Sequence, residues 1–391
     1  MGLGSLSPRV SLEQSRKQAK DLLKAFKAGD AKALDRIRWN HPRFRGLTDD
    51  QIRQRPFVLA DAQLVIAGLH YFQSWPRLLR HIETLERQEP GVRRFEDASD
   101  AIITGDVATL DRLLRAHPDL IHQRASRAHE APLLHYVAAN GVEDYRQLSP
   151  TNAVEVARVL LDAGAEVDAT SHAYGGRSTA LGLVATSTPP RQAGVQIPLI
   201  DLLLERGAAI DGVRPGASLV RDALANGCPE AARALADRGG RLDVIAAAGV
   251  GRLDLLQRLA EGASAHDLEK ALVTAAGTYG AYDVVKYLLD RGVDVAAATG
   301  WTALHSATGG ADLRIIDLLI RRGAPLEQRN MYGGTVLGQA VWFAYHGDPA
   351  AIGDYVRVID VLIAAGARTD AYPKMTEHIE EVRRRAGDRA P

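Results

Sequence analysis

The chain of 391 residues holds a single cysteine, Cys228, and that scarcity excludes an intrachain disulfide framework and any cysteine-rich zinc site. A lone thiol fits a reducing cytosol. An excess of one charge is also missing: 48 Lys and Arg face 48 Asp and Glu, so the chain lacks the basic bias of a nucleic-acid binder. Met1 to Leu6 offers no apolar stretch of signal length, and Leu6 stands where a myristoylation signal needs Ser or Thr. The strongest apolar run, Leu64 to Phe72, is too short and too interrupted to span a bilayer. A soluble, cytoplasmic protein is expected, with neither nucleic acid nor membrane among its partners.

Catalytic signatures are scarce as well. There is no phosphate loop, no Gly-x-Ser-x-Gly elbow and no His-Glu-x-x-His. His117, His122, His129 and His135 lie close together, but their spacings of 5, 7 and 6 do not set pairs on one helical face, so neither a metal site nor a cofactor is expected. Gly249-Val250-Gly251-Arg252 is half of a dinucleotide signature with no strand before it, and reads as a boundary between structural units. Acid–base catalysis needs only two side chains brought together by folding, and stays open.

What the chain does contain is a recurrence. Gly-Ala or a near variant closes an apolar helix at Gly164, Gly207, Gly239, Gly262, Gly292, Gly323 and Gly366, at intervals of 43, 32, 23, 30, 31 and 43 residues. Repetition near 30 to 33 is the mark of a stacked helical solenoid, in which each unit buries its apolar face against its neighbours and no central core is required. The cleanest copy opens with Gly300-Trp301-Thr302-Ala303-Leu304-His305 and closes with the helix Leu313 to Arg322 and Gly323-Ala324. Thr302 can cap the inner helix, Ala303 and Ala307 let the next unit approach, and Gly323 can take the left-handed conformation that ends the outer helix. His305 is expected to bridge adjacent loops. Counting back from other closing glycines places degenerate openings at Ser218 and Ala271.

This unit resembles the ankyrin repeat, which implies an all-α ankyrin-repeat solenoid of about eight helix-loop-helix units with finger loops. Before it, residues 11–90 read as a helical N-terminal region. Helices are predicted over Ser11 to Ala28 and from Asp30 to about Trp39, a loop over Arg53 to Pro56, and a further helix after Ser74-Trp75-Pro76. The runs Leu59 to Ala67 and Ser74 to Leu78 resemble the N-terminal extension of a group of bacterial ankyrin-repeat proteins, a resemblance that reaches Tyr174 to Gln196 and implies no activity for particular residues. Pro90-Gly91 marks the predicted boundary. Residues 1–10 are predicted disordered, 91–372 carry the repeats, and 373–391 form a polar capping helix and tail.

Three units exceed the template, with extra residues around Val142 to Ala153, Thr186 to Pro198 and Gly347 to Asp354. Loops on a repetitive scaffold are common places for function, and equally for tolerated drift. Two of these units begin with Tyr174-Gly175-Gly176 and Tyr332-Gly333-Gly334, and place Gly182 and Gly338 where the repeat has histidine. Losing the imidazole leaves space that a ligand, a ring of the same chain or closing neighbours can fill.

Template positions facing the groove include Tyr136, Leu183, Asp222, Ser306, Gln339 and Trp342, with Tyr174 and Tyr332 on the finger loops and His172 beside the first. They outline a mixed aromatic and polar surface. The leading reading is a non-enzymatic protein that recognises a partner protein through its concave face. In the alternative the inserted loops close over the groove and form a pocket for a small organic molecule, bound or transformed, with His172, Tyr174 and Asp222 as acid–base candidates.

Overall fold

The computed structural model describes residues 11–86, 90–278, 280–346 and 351–387. Among these residues every regular element is helical, and extended pairings are limited to isolated bridges such as Ala298 with Thr302. No helix there is long and apolar enough to cross a membrane. The chain divides into two compact units, Met1–Ala217 and Ser218–Pro391.

The first unit opens with helices Leu12–Lys27, Ala31–Asn40, Asp49–Arg53, Leu59–Leu69 and Trp75–Glu86. Their starts are chemically specified. The Ser11 hydroxyl accepts from the Gln14 amide at 3.2 Å, and the Asp30 carboxylate accepts from Ala33 at 2.9 Å. Thr48 and Gln51 satisfy each other's amides as a reciprocal cap, which begins a short helix, Asp49–Arg53, that is not among the predicted elements. Leu22, Leu34, Ile37, Phe44, Ile52 and Val65 are buried together in the core of these helices. Pro90 stands in the first turn of helix Pro90–Thr104, where its missing N–H costs nothing.

Three helix pairs complete this unit: Pro90–Thr104 with Val107–Ala116, Leu133–Ala138 with Ala153–Asp162, and Ala180–Ala185 with Gln196–Glu205. The inner element Leu133–Ala138 is a tight 3-10 turn rather than an α-helix, stopped by Ala139 in the left-handed region at φ 48°. The second unit holds five pairs, from Leu219–Ala225 with Pro229–Asp237 to Val336–His346 with Ile352–Ala364, followed by helix Met375–Gly387. That last helix buries Met375, Ile379 and Val382.

The closing glycines act as the sequence suggested, with one exception. Gly323 sits at φ 83°, so its N–H and that of Ala324 fold back onto the carbonyls of Ile320 and Leu319 at 2.9 and 3.0 Å, a Schellman cap. Gly262 does not take a positive φ. Helix Leu253–Leu259 has already ended, and Ser264 caps the long inner helix Ala265–Ala276 immediately afterwards. The opening expected at Ala271 is therefore corrected to Ser264, and Ala271 lies buried in mid-helix.

Between units the repeat is held by histidine. The Thr302 hydroxyl accepts from the His305 amide at 3.3 Å and lies 2.8 Å from Nδ1, while Nε2 lies 3.1 Å from the Gly334 carbonyl. Burial lowers the His305 pKa, so a neutral ring accepts from Thr302 and donates to Gly334. His135 makes the same bond to Ala169 at 2.9 Å. At Gly338 the space is taken by the chain itself, since a Cβ there would stand 3.8 Å from the ring of Tyr372. An imidazole built outward from that Cβ is expected to press on Tyr372. Gly338→His is expected to destabilise the fold by about 1–3 kcal/mol through overpacking, measured by urea unfolding. An unchanged midpoint would show that Tyr372 does not fill the site.

Candidate functional site

The interior of the first unit carries an ion network that motif reading did not find. Arg127 is 2% exposed in its side chain and Glu143 1%. The Arg127 guanidinium grips Glu96 with two bonds of 2.5 and 3.0 Å, and its Nε lies 2.5 Å from Glu143 Oε1. Arg146 lies 2.8 Å from Glu96 Oε2, which it shares with Arg127, and donates to Asp100 at 2.6 and 2.9 Å. The rings of Phe72, Tyr136 and Tyr145 lie against the two guanidinium groups. Burial alone would raise the carboxyl pKa values of Glu143 and Glu96, but the neighbouring arginines hold both below the ordinary range.

This network explains the first inserted loop. Glu143 and Arg146 are supplied by the extra residues, and the loop turns inward instead of folding over a groove. It also joins the N-terminal helices to the repeats: Tyr71 donates to Asp144 at 2.7 Å, its carbonyl accepts from Ala128 at 2.7 Å, and His81 Nδ1 meets the Ser126 hydroxyl at 2.8 Å. The second insertion is equally self-contained, since buried Gln196 donates to the carbonyls of Val184 and Ser187. Of the third, residues 347–350 lie outside the described residues.

Backbone strain gathers above the network. Of the seven non-glycine residues at positive φ among those described, Tyr71, Glu130, Ala139, Tyr174 and Arg177 lie in the loops joined here. The His172 amide donates to the His129 carbonyl at 2.7 Å, and the Tyr174 hydroxyl donates to Asn140 Oδ1 at 2.5 Å. Left-handed tyrosines persist only where surrounding contacts over-determine them. His172 and Tyr174 are thus brought together on one exposed finger loop, with His172 Nδ1 3.7 Å from Glu130.

Other predicted positions fare differently. Tyr136 is fully buried, its hydroxyl 3.4 Å from Glu143, and belongs to the network rather than to a groove surface. Leu183 is buried too, packed toward Gly141. Asp222 falls in the second unit, half-buried on helix Leu219–Ala225, apart from the unit that holds His172 and Tyr174. Gln339 is spent internally, donating to the His305 carbonyl at 2.8 Å and accepting from Asn330 at 3.1 Å. Ser306 is half-buried.

In the second unit the finger loops carry the exposed surface. Tyr332 is 76% exposed and Met331 66%, and the Tyr332 and Trp301 rings meet edge to face at 5.7 Å. The Met331 amide donates to the Gly300 carbonyl at 2.8 Å, which locks two successive loops together. Asn330 Oδ1 accepts from the amides of Tyr332 and Gly334. On helix Val336–His346, Trp342 is 57% exposed beside Phe343 and His346. Trp301 belongs to this surface because its ring props Tyr332, and neither it nor Met331 was among the predicted surface positions.

Residues 244–330 match the family model described as Ankyrin repeats (3 copies). No curated protein matches the chain. Among solved structures, the crystal structure of the human ASB11 ankyrin repeat domain is similar at 22% identity, covering 60% of this chain and 98% of that one with a TM-score of 0.30. The helix pairs within 244–330 are ankyrin repeats, and the fold is the all-α repeat architecture expected from the closing glycines.

Two outcomes follow for the network. Arg127→Met leaves Arg146 alone against two buried carboxylates and is expected to cost about 3–5 kcal/mol in urea unfolding; a loss near zero would contradict the pairing. The second concerns pH. Burial pushes the imidazoles of His70, His81 and His135 down to about 4, with Arg127 adding to the effect on the first two. An unfolded chain takes up these protons near 6.5, so stability is full above that pH and falls as pH drops from 6.5 toward 4. Melting temperatures across this range should decline, and less steeply in His81→Gln. Equal slopes in both proteins would contradict the assignment.

Proposed function

We propose that the chain is a non-enzymatic cytoplasmic binding protein that recognises a partner protein through its finger loops and inner helices. The repeats run over 91–372, after a helical region at 11–90 and before a capping segment at 373–391. The observation that carries this reading is the joined surface of Trp301, Met331 and Tyr332. Ankyrin repeats generally mediate protein–protein interaction, and this chain leaves Met331 and Tyr332 in water at a loop tip. Aromatic residues and methionine are enriched at the centres of interfaces, where a few such anchors carry most of the binding energy. The loop-to-loop amide bond and the Asn330 contacts hold these side chains ready, which reduces the ordering cost of association.

Trp342 extends the apolar surface along the inner helix of the same repeat. In the first unit the tethered Tyr174 and the exposed His172 offer a second, more polar contact. Because Met331 and Tyr332 make little packing contact with the core, Met331→Ser with Tyr332→Ala is expected to leave the melting temperature unchanged. The same double variant should weaken capture of the partner by roughly 30-fold or more, the loss of one hot spot of about 2 kcal/mol. A partner bound with unaltered affinity would move the site elsewhere.

A further inference from the structure

Arginine supplies nearly all of this chain's positive charge: it holds 40 Arg and only 8 Lys. Exposed carboxylates are met by arginine, as in Arg115 with Asp111, Arg221 with Asp243 and Arg383 with Asp360. Five of the eight lysines nevertheless stand at positions 17, 20, 24, 27 and 32, and none lies between 33 and 269. Steps of 3, 4 and 3 put Lys17, Lys20, Lys24 and Lys27 on one face of helix Leu12–Lys27, a ridge about 15 Å long at 1.5 Å per residue. The opposite face buries Ser15, Ala19 and Leu22. All four lysines are exposed, and none makes an ion pair or side-chain hydrogen bond among the described residues. The helix's own acids, Glu13 and Asp21, leave them unpaired.

The choice of lysine narrows the partner. A single carboxylate or phosphate is gripped best by the planar fork of arginine, which this chain uses freely elsewhere, whereas a row of unpaired lysines presents mobile point charges suited to a surface of many phosphates. Two common phosphate surfaces are nucleic acid and the phospholipid bilayer, and the exposed apolar side chains of the same helical region separate them. Trp39 is 71% exposed, seven residues after Lys32 and therefore on its face of helix Ala31–Asn40. Val58 and Leu59 are exposed as well, and Val58 follows Phe57, whose ring lies 4.7 Å from that of Phe26 in the last turn of the ridge helix. A nucleic-acid backbone would leave these side chains in water. The boundary between headgroups and acyl chains takes them in, and tryptophan is enriched there.

We propose that the N-terminal helices dock on a bilayer containing anionic phospholipid, with Lys17, Lys20, Lys24 and Lys27 facing the headgroups and Trp39, Val58 and Leu59 entering the interface. This is surface attachment and needs no spanning helix. It replaces the expectation that no membrane is involved, and it stands whether or not the finger loops bind a protein.

The full chain is tested by sedimentation with vesicles of phosphatidylcholine alone and of phosphatidylcholine mixed with phosphatidylserine. Binding is expected only to the anionic vesicles. Each lysine near such a surface contributes a factor of about 5, so changing all four to glutamine should lower binding by roughly several hundredfold. Trp39→Ser with Val58→Ser should weaken vesicle binding several-fold, and both variants should melt with the wild type because the altered side chains are exposed. A blue shift of emission on adding anionic vesicles should be lost in Trp39→Phe. Equal binding to neutral vesicles, a lysine variant that binds like wild type, or binding to duplex DNA or RNA without binding to vesicles would each overturn the proposal.

Discussion

Two guanidinium groups and two carboxylates cannot be taken out of water singly, because each unpaired ion would cost several kcal/mol. Much of the first unit follows from keeping Arg127, Arg146, Glu96 and Glu143 together. Glu96 comes from helix Pro90–Thr104, Arg127 from the loop before Leu133–Ala138, and Glu143 and Arg146 from the connection after it. The N-terminal helices close over the group through Phe72 and the Tyr71–Asp144 bond. Such a network contributes modestly to net stability compared with an apolar core, yet losing any member is severe. That asymmetry specifies one arrangement of the loops. It also accounts for the left-handed backbone at Tyr71, Glu130 and Tyr174, which is tolerated because charged and hydrogen-bonded partners fix the residues on either side.

The second unit is held by a different and more repetitive device. Its helices pack through small residues: a Cβ on Gly310 would lie 2.9 Å from the Gly277 carbonyl oxygen, so the two inner helices approach backbone to backbone. The His305 ring then bridges to the next loop, and where that histidine is replaced by Gly338 the ring of Tyr372 occupies the space. With the interior satisfied by these contacts, the finger-loop side chains Met331 and Tyr332 stay largely exposed and pack only against the neighbouring loop. Their exposure is the feature left over once stability has been accounted for, and it is the ground for assigning recognition to them.

The repeat was legible in the sequence because its determinants are local. A left-handed glycine after an apolar helix, a Thr cap and a buried histidine each leave a fixed mark at a fixed spacing. Gly262 misled for the same reason, since a short interval removed the loop and let Ser264 start the next helix early. The site was less legible. Tyr136 and Gln339 occupy positions that face outward in the template, but an inserted loop buries one and a hydrogen bond to the His305 carbonyl draws in the other. The ion network joins residues up to 50 positions apart and follows no motif. Its faint marks were the acids Glu96 and Asp100 one turn apart, and Glu143 followed three residues later by Arg146, inside an insertion that the sequence left open to function or drift alike.

The claim that the network couples the N-terminal helices to the first repeats is tested most directly by amide hydrogen exchange on the full chain, comparing wild type with Glu143→Gln. If the coupling holds, helices Leu59–Leu69 and Ala153–Asp162, which contribute no residue to the network, lose protection together and by the same factor, while Leu313–Arg321 in the other unit is unchanged. Loss confined to the residues flanking position 143 would contradict it.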